Sequence, residues 1–266
     1  MLQIQVTLTP AESKRLIGKG VAALPEVKKA LREGIIIIGV GTTNACVAEE
    51  LLERKIDRER FVAGVILLKG TCCVPAEKRL HEIVIRRGKV IDVRMDDVLK
   101  DLTQNDVFIK GANAIDASGT AGIFMSSPNG GTIGKVLGTI MSRGVNLIIS
   151  VGMEKFIPGS IQDNSRLAGI FRFDYATGCP VGIMPVAGKV VTELNAIQIL
   201  TGAEAVVIGK GGVSGAGGSV TLLVRGSPAQ LRVVRKLVKS VKGEPETKIE
   251  TDCKTCKELV CWYLKS

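Results

Sequence analysis

Two glycine-rich turns, each directly after a run of strand-forming residues, constrain the fold of this chain most. The first is GVGTTN at residues 39–44, which follows four consecutive isoleucines at residues 35–38. The second is GANAID at residues 111–116, which follows the apolar residues 107–109 and leads on to NGGT at residues 129–132. Buried parallel strands are continuous apolar runs, and ligands bind at their carboxyl ends. Glycines there let backbone N–H groups surround an anion in front of a helix N-terminus. The pattern therefore predicts an α/β protein that holds a small, phosphorylated ligand.

Size and composition are those of a folded globular protein. The chain has 266 residues, of which 45% are hydrophobic, and this length suits one large or two small domains. Its longest apolar stretch, around residues 35–38, is far too short to span a bilayer, so no membrane partner is expected. The first residues have no basic segment followed by an apolar one, and seven cysteines is an odd number. Both observations favour a cytoplasmic protein with reduced thiols.

The formal net charge of +10 raises the question of a nucleic-acid partner. The basic residues are scattered, and their densest cluster, residues 232–242, lies on a predicted amphipathic helix. Aromatic residues make up only 3% of the chain, which disfavours a surface that stacks single-stranded bases. A positive field that attracts an anionic metabolite explains the same charge. We therefore expect a small anionic ligand and treat nucleic acid as the weaker alternative.

Strands and helices alternate along residues 1–184, which predicts an α/β domain with a mostly parallel sheet and helices on both faces. The sequence TPAE at residues 9–12 is typical of a capping box and starts a helix that ends near Gly34. Strands are predicted at residues 35–38, 62–68, 107–110 and 147–151, a hairpin at 83–93, and helices at 44–54 and 133–143.

The pattern changes near residue 184. A leading strand at residues 181–184 is followed by a helix at 190–200, strands at 205–208 and 219–224, a helix at 228–241 and a last strand at 246–250. This order predicts that residues 185–266 form a small α+β domain of the ferredoxin-like type.

Five motifs in order resemble those of ribose-5-phosphate isomerase and its wider superfamily, which includes glucosamine-phosphate deaminase and CoA transferases. GVGTTNA at residues 39–45 is similar to the family's phosphate loop GxGTGSTA, and GANAID at 111–116 is similar to its GADEVD. NGGT at 129–132 lies where KGGGGA would fall, VGMEK at 151–155 corresponds to VDESK, and PVGIMPVA at 180–187 resembles PVEVxPFA. Residues 111–155 also resemble methylthioribose-1-phosphate isomerase and the regulatory subunits of a translation-factor exchange complex.

The resemblance implies a site with a phosphate-binding half and a proton-transfer half. Asp116 and Asn113 stand at the positions of the two family aspartates that serve proton transfer, and Asn113 replaces one of them. The family's lysine before the glycine run and its TDNGN motif are also replaced, so genuine ribose-5-phosphate isomerase activity is not expected. The residues implied for ligand or phosphate binding are Gly41, Thr42, Thr43, Asn44, Gly130, Gly131, Thr132 and Lys155.

Structural alternatives exist for several of these residues. Thr42, Thr43 and Asn44 could simply cap the helix that follows them. Asp116 could be a turn-forming aspartate instead of a general base.

The cysteines also allow two interpretations. Cys72 and Cys73 could be activated by Lys69, although packing as small buried hydrophobes is favoured. The pattern CxxCxxxxC at residues 253–261 supplies three ligands, whereas a structural zinc site needs four, so we expect no metal. A nicotinamide-binding fingerprint is absent from the sequence, and we expect no cofactor.

Two functions follow from these features. The first is an enzyme of the isomerase or lyase type that acts on a phosphorylated, sugar-like metabolite, with Asp116 in proton transfer. The second is a non-catalytic sensor or scaffold that keeps the anion pocket. In either case a homo-oligomer is expected, because relatives of this fold commonly associate.

Overall fold

The structure is a computed structural model that describes residues 2–251 and residue 261. The described residues form fourteen β-strands and eight α-helices. The strands are β1 Leu2–Leu8, β2 Ile35–Ile38, β3 Gly64–Leu67, β4 Gly70–Cys73, β5 Ile83–Arg86, β6 Lys89–Ile91, β7 Val107–Gly111, β8 Ala114–Ile115, β9 Ala121–Met125, β10 Asn146–Ser150, β11 Gly182–Val186, β12 Lys189–Val191, β13 Glu204–Gly211 and β14 Ser219–Gly226. The helices are α1 Pro10–Ala23, α2 Pro25–Glu33, α3 Thr42–Leu52, α4 Met95–Val98, α5 Gly131–Arg143, α6 Ile161–Leu167, α7 Glu193–Thr201 and α8 Pro228–Val241.

A six-stranded sheet with the order β12-β10-β7-β2-β5-β6 is the largest sheet of the fold. Strands β2, β7, β10 and β12 run parallel, with Phe108 of β7 opposite both Ile37 and Leu147. β5 and β6 extend the sheet as the predicted antiparallel hairpin. The prediction that residues 35–38, 107–109 and 147–151 supply central parallel strands is confirmed, with the last of these strands at Asn146–Ser150.

Side chains alternate between the two faces of this sheet, and each face has its own hydrophobic core. Ile36 and Ile38 pack with α1, α2 and α3, whereas Ile35 and Ile37 pack on the other face with α4 and α5. Because both faces are covered, all four isoleucines are buried and the strand shows no polar alternation. The fold is therefore α/β, with a mostly parallel sheet and helices on both faces.

Local sequence signals determine where the first helices begin and end. Thr9 and Glu12 form the predicted capping box, in which the Thr9 N–H donates to the Glu12 carboxylate at 2.9 Å. Pro25 divides the first predicted helix into α1 and α2, because proline has no N–H to continue the hydrogen-bond ladder. The chain then returns at Gly34 into the central strand β2.

A second, antiparallel sheet with the order β1-β14-β13 packs against α7 and α8. β1 pairs with β14 over its whole length, from Leu2 to Leu8. The sheets therefore do not follow the predicted division at residues 184 and 185, because the N-terminal strand completes the small sheet and β12 joins the large one. The alternation of Leu2, Ile4, Val6 and Leu8 is a strand signal that the prediction did not use.

Three further predictions differ from the structure. Residues 181–184 do not lead the small sheet but belong largely to β11, which pairs with β9 in the sheet β11-β9-β8. Residues 190–200 are divided between β12 and α7. Residues 246–250 form no strand, since both edges of β14 are already paired, and they line the pocket described below. In the ranges that the structure describes, no helix has the length and apolar character needed to cross a membrane.

Candidate anion-binding site

A pocket of about 1030 Å³ opens at the carboxyl ends of β2 and β7. Its walls include the starts of α3 and α5, the β3–β4 hairpin and residues 246–250. Parallel strands bring the loops that follow them to the same end of a sheet, which is why the glycine turns meet here. Pockets of this volume are large enough for a metabolite.

The start of α3 contributes Gly41, Thr42 and Thr43 to the pocket wall. Gly41 precedes the helix, and no side chain caps the first turn within the described chain. The first N–H groups of a helix have no intrahelical acceptor, and the helix dipole adds about half a positive charge there. These three residues therefore lie where the predicted phosphate contacts require them.

The start of α5 contributes Gly130, Gly131 and Thr132. Gly130 and Gly131 have φ angles of 72° and 58°, in the left-handed region that favours glycine. A Cβ on Gly130 would also lie 3.1 Å from the Cα of Gly134. Thr132 donates its hydroxyl hydrogen to Glu82 at 3.1 Å, which fixes a carboxylate beside this second helix start. All three predicted residues are therefore in the pocket.

Lys14, Lys110 and Lys155 also line the pocket. The Lys155 ammonium donates to the carbonyl of Ala112 at 2.8 Å, and burial lowers its pKa. Burial lowers the pKa of Lys110 to about 8, while the charge of Glu82 opposes this shift and the charge of Lys155 adds to it. The predicted lysine is thus joined by two others, and the wall of the pocket is strongly basic here.

Lys110 and Glu82 are pocket residues that the sequence analysis did not single out. Lys110 is the first polar residue after the apolar run at residues 107–109. A lysine at the carboxyl end of a core strand was therefore the available signal. Glu82 precedes the antiparallel strand β5, and nothing in the local sequence distinguishes it from other charged residues.

Asn44 connects the ends of the parallel strands and does not line the pocket. Its side chain is fully buried, and its Nδ2 donates to the carbonyls of Gly39 at 2.7 Å and Ile109 at 3.3 Å. Its Oδ1 accepts a hydrogen bond from the Ser150 hydroxyl at 2.6 Å. Both ends of the amide are used, so Asn44 has a structural role in place of the predicted ligand contact.

Asn113 lines the pocket and is also tied to the neighbouring sheet. Its N–H donates to the Gly122 carbonyl at 2.8 Å, and its Oδ1 accepts from the Phe124 N–H at 3.0 Å. Its Nδ2 has no hydrogen bond with the described residues. An amide nitrogen can donate to a ligand but cannot act as a general base.

Asp116 is absent from the described pocket wall and organises a turn instead. Its carboxylate accepts from the N–H groups of Ser118, Thr120 and Ile161 and from the Ser118 hydroxyl at 2.6 Å. The hydrogen bond from Ser118 is the main cause that lowers the pKa of Asp116. This arrangement favours the turn-forming alternative over a role in proton transfer.

Cys72, Cys73 and Cys179 line one side of the pocket. The Cys179 thiol lies against those of Cys73 and Cys261, and its hydrogen bond with Cys73 is the main cause that raises its pKa. A raised pKa keeps the thiol protonated, so Cys179 is not activated as a nucleophile. Among the described residues, no group of three or more His, Cys, Asp or Glu side chains could hold a metal ion. The other two cysteines of the CxxCxxxxC pattern, Cys253 and Cys256, lie outside the described residues.

Comparisons of this chain with protein-family models, with curated proteins and with solved structures found no match. The site is therefore interpreted from its own geometry, together with the five motifs that resemble the ribose-5-phosphate isomerase superfamily.

Proposed function

We propose that this chain binds a phosphorylated, sugar-like metabolite in the pocket at the ends of β2 and β7. The observation that carries the proposal is the meeting of two uncapped helix starts, at Thr42 and Gly131, with three lysines in one pocket. Helix N-termini and lysines both favour an anion, and a phosphate group accepts several hydrogen bonds at once. The volume beyond the anion site leaves room for a sugar-like body.

An enzyme of the isomerase or lyase type is the function that the pocket supports best. Glu82 and Lys110 are a carboxylate and an amine in the same pocket, and such groups transfer protons between neighbouring carbons. The five motifs also support membership of the ribose-5-phosphate isomerase superfamily. The proton-transfer groups would then differ from those of the family.

A non-catalytic sensor of the same metabolite class is the second candidate. It is favoured by one observation: Asp116 organises a turn and is absent from the described pocket wall, and Asn113 is an amide, which cannot act as a general base. In this case the pocket would bind the phosphorylated metabolite without converting it.

A thermal-shift screen tests the proposal. Phosphorylated sugars and triose phosphates are compared with the same sugars without phosphate, each far above the expected dissociation constant. A ligand at 100 times its dissociation constant stabilises a protein by about 2.7 kcal/mol. We expect stabilisation by phosphorylated compounds alone. Equal effects of both sets would contradict an anion site, and conversion of a stabilising ligand, followed by NMR, would separate enzyme from sensor.

Thr43→Val is expected to weaken binding of phosphorylated ligands by about 1–3 kcal/mol, because a charge-assisted hydrogen bond from the hydroxyl is lost. Thr43 is buried at the start of α3, and valine matches its shape, so the fold should be retained. Isothermal titration calorimetry measures the change. Thr139→Val, in the middle of α5 and away from the pocket, is the matched control. Unchanged affinity in the Thr43 variant would place the anion elsewhere.

A further inference from the structure

Lys110 has an unusual position for a lysine. It is the fourth residue of β7, its side chain lies in the pocket, and its stem packs over Gly39, where a Cβ would lie 3.1 Å from its Cδ. Most lysines keep the ammonium group in water, whereas this one is held at the end of a buried strand. Its ammonium makes no hydrogen bond or ion pair with the rest of the described chain. Lys110 is therefore held in place by its stem, with its nitrogen left to a ligand.

Burial of Lys110 favours the neutral amine over the ammonium. Lys155 is a neighbouring cation, and its ammonium is fixed by the Ala112 carbonyl at 2.8 Å. Burial is the main cause that lowers the pKa of Lys110 to about 8; the charge of Glu82 opposes this shift, and the charge of Lys155 adds a smaller contribution to it. About one molecule in ten then carries the neutral amine at neutral pH, compared with fewer than about one in a thousand for an ordinary lysine. Desolvation beside a second cation is a known way to activate a lysine nucleophile.

We propose, on the basis of the proposed function, that Lys110 is a nucleophile that forms an imine with the carbonyl carbon of an open-chain aldehyde or ketone phosphate. Lys155 and the starts of α3 and α5 hold the phosphate group. This arrangement places the reactive carbonyl in the part of the pocket that contains Lys110 and Glu82.

The step balances without an oxidant or a reductant. The nitrogen lone pair forms a bond to the carbonyl carbon, and the oxygen takes up a proton to give a carbinolamine. The nitrogen then forms the C=N bond as its second proton passes to the hydroxyl, which leaves as water, and the imine nitrogen takes up a proton from the solvent. Glu82, positioned by Thr132, is the group that moves protons between nitrogen and oxygen. A protonated imine withdraws electrons from the neighbouring carbon, which is what an isomerase or a lyase needs.

The neighbouring lysine is less suited to the same reaction. The nitrogen of Lys155 already donates to a backbone carbonyl, and this hydrogen bond favours its ammonium form and restrains its movement towards a carbonyl carbon. Lys155 therefore binds the phosphate group, and Lys110 forms the imine.

Reductive trapping tests the proposal on the whole 266-residue chain. The protein is incubated with dihydroxyacetone phosphate, ribose 5-phosphate or the phosphate-free aldehyde glycolaldehyde, in each case with cyanoborohydride. Cyanoborohydride reduces an imine to a stable secondary amine, and peptide mapping by mass spectrometry locates it. We expect Lys110 to be labelled at least about tenfold faster than any exposed lysine. Lys110→Met should lose this labelled site, whereas the surface control Lys239→Met should keep it.

The outcomes separate the two proposals. Labelling of Lys110 by the phosphorylated compounds that is slowed by inorganic phosphate would support both. Fast labelling of Lys110 by glycolaldehyde, without any effect of phosphate, would support the imine and count against the anion site. Labelling of Lys110 no faster than that of exposed lysines, with every carbonyl compound, would overturn the imine proposal. Phosphate binding is read independently by thermal shift in the Lys110→Met protein.

Discussion

Replacing Glu49 with glutamine is expected to lower the free energy of unfolding by about 3–5 kcal/mol, because it removes a buried carboxylate that two buried guanidinium groups share. The carboxylate of Glu49 is almost completely buried and forms an ion pair with Arg15. It also accepts hydrogen bonds from Arg58 at 2.6 Å and from the Ile56 N–H at 3.2 Å. Glu244 completes the network by pairing with both arginines.

The pH dependence of stability gives a second measure of the same network. Burial by itself would raise the pKa of Glu49, but hydrogen bonds from Arg58 and Arg15 outweigh it and lower the pKa to about 2. A carboxyl group with a depressed pKa stabilises the fold above its unfolded pKa, and this stabilisation is lost as the pH falls from 4.5 towards 2. The glutamine variant should therefore lose less stability on acidification than the parent protein.

Urea unfolding followed by circular dichroism measures both effects. Glu204→Gln is the matched control, since Glu204 pairs with Arg225 on the surface and exposed pairs contribute about 1 kcal/mol or less. If the free energy of unfolding falls equally and only slightly in both variants, the charge of Glu49 is stabilised by solvent and not by the arginines.

This network also bears on the site. It connects α1, α3 and Glu244, which lies just after α8, with residues 55–58. These residues lead into Phe61, whose carbonyl accepts from the Gly41 N–H at 2.9 Å. The ion pairs therefore hold the start of α3, where the anion is proposed to bind. A charged cluster outside the pocket thus contributes to the shape of its wall.

The elements that the sequence predicted best are those whose own residues determine their structure, without a partner far along the chain. The isoleucine run at Ile35–Ile38 and the apolar residues 107–109 could only be buried on both faces, and that burial is what a central parallel strand provides. The capping box of Thr9 and Glu12 is equally local. The positions of Gly41 and Thr42 followed from strand β2, because loops after parallel strands meet at one end of the sheet. Gly130 and Gly131 follow β9, which belongs to another sheet.

The features that sequence did not predict depend on partners far along the chain. Nothing near residues 2–8 indicates that their partner is β14, more than two hundred residues later. Asn44 and Asp116 lie near pocket residues in sequence. Their side chains, however, form hydrogen bonds with backbone groups that only the folded chain brings close to them. Lys110 is the opposite example: the fold buries it, and this burial lowers its pKa. The expected homo-oligomer stays a prediction.

Glu193 is a second buried carboxyl group, and its environment has the opposite effect on stability. It is the first residue of α7 and is completely buried. One carboxyl oxygen accepts from the Met153 N–H at 2.9 Å, whereas the other has no partner among the described residues, like the nearby hydroxyl of Ser13. Burial raises the pKa of Glu193 to about 7, and the charge of Glu154 adds to this shift.

Glu193→Gln is therefore expected to stabilise the protein by about 3 kcal/mol near pH 8 and to have little effect near pH 4. The folded state keeps the proton of Glu193 up to about pH 7, whereas the unfolded chain releases it near pH 4.5. The contribution of the parent carboxyl is thus fully present at low pH and is lost as the pH rises through 7.

A glutamine is neutral at every pH, and its amide can accept from Met153 while donating to Ser13. Urea unfolding at the two pH values measures the difference, with the exposed Glu33→Gln as control. Equal destabilisation of the Glu193 variant at both pH values would show that folding does not shift the pKa of this carboxyl, and a larger destabilisation at pH 8 than at pH 4 would show that a partner holds it ionised.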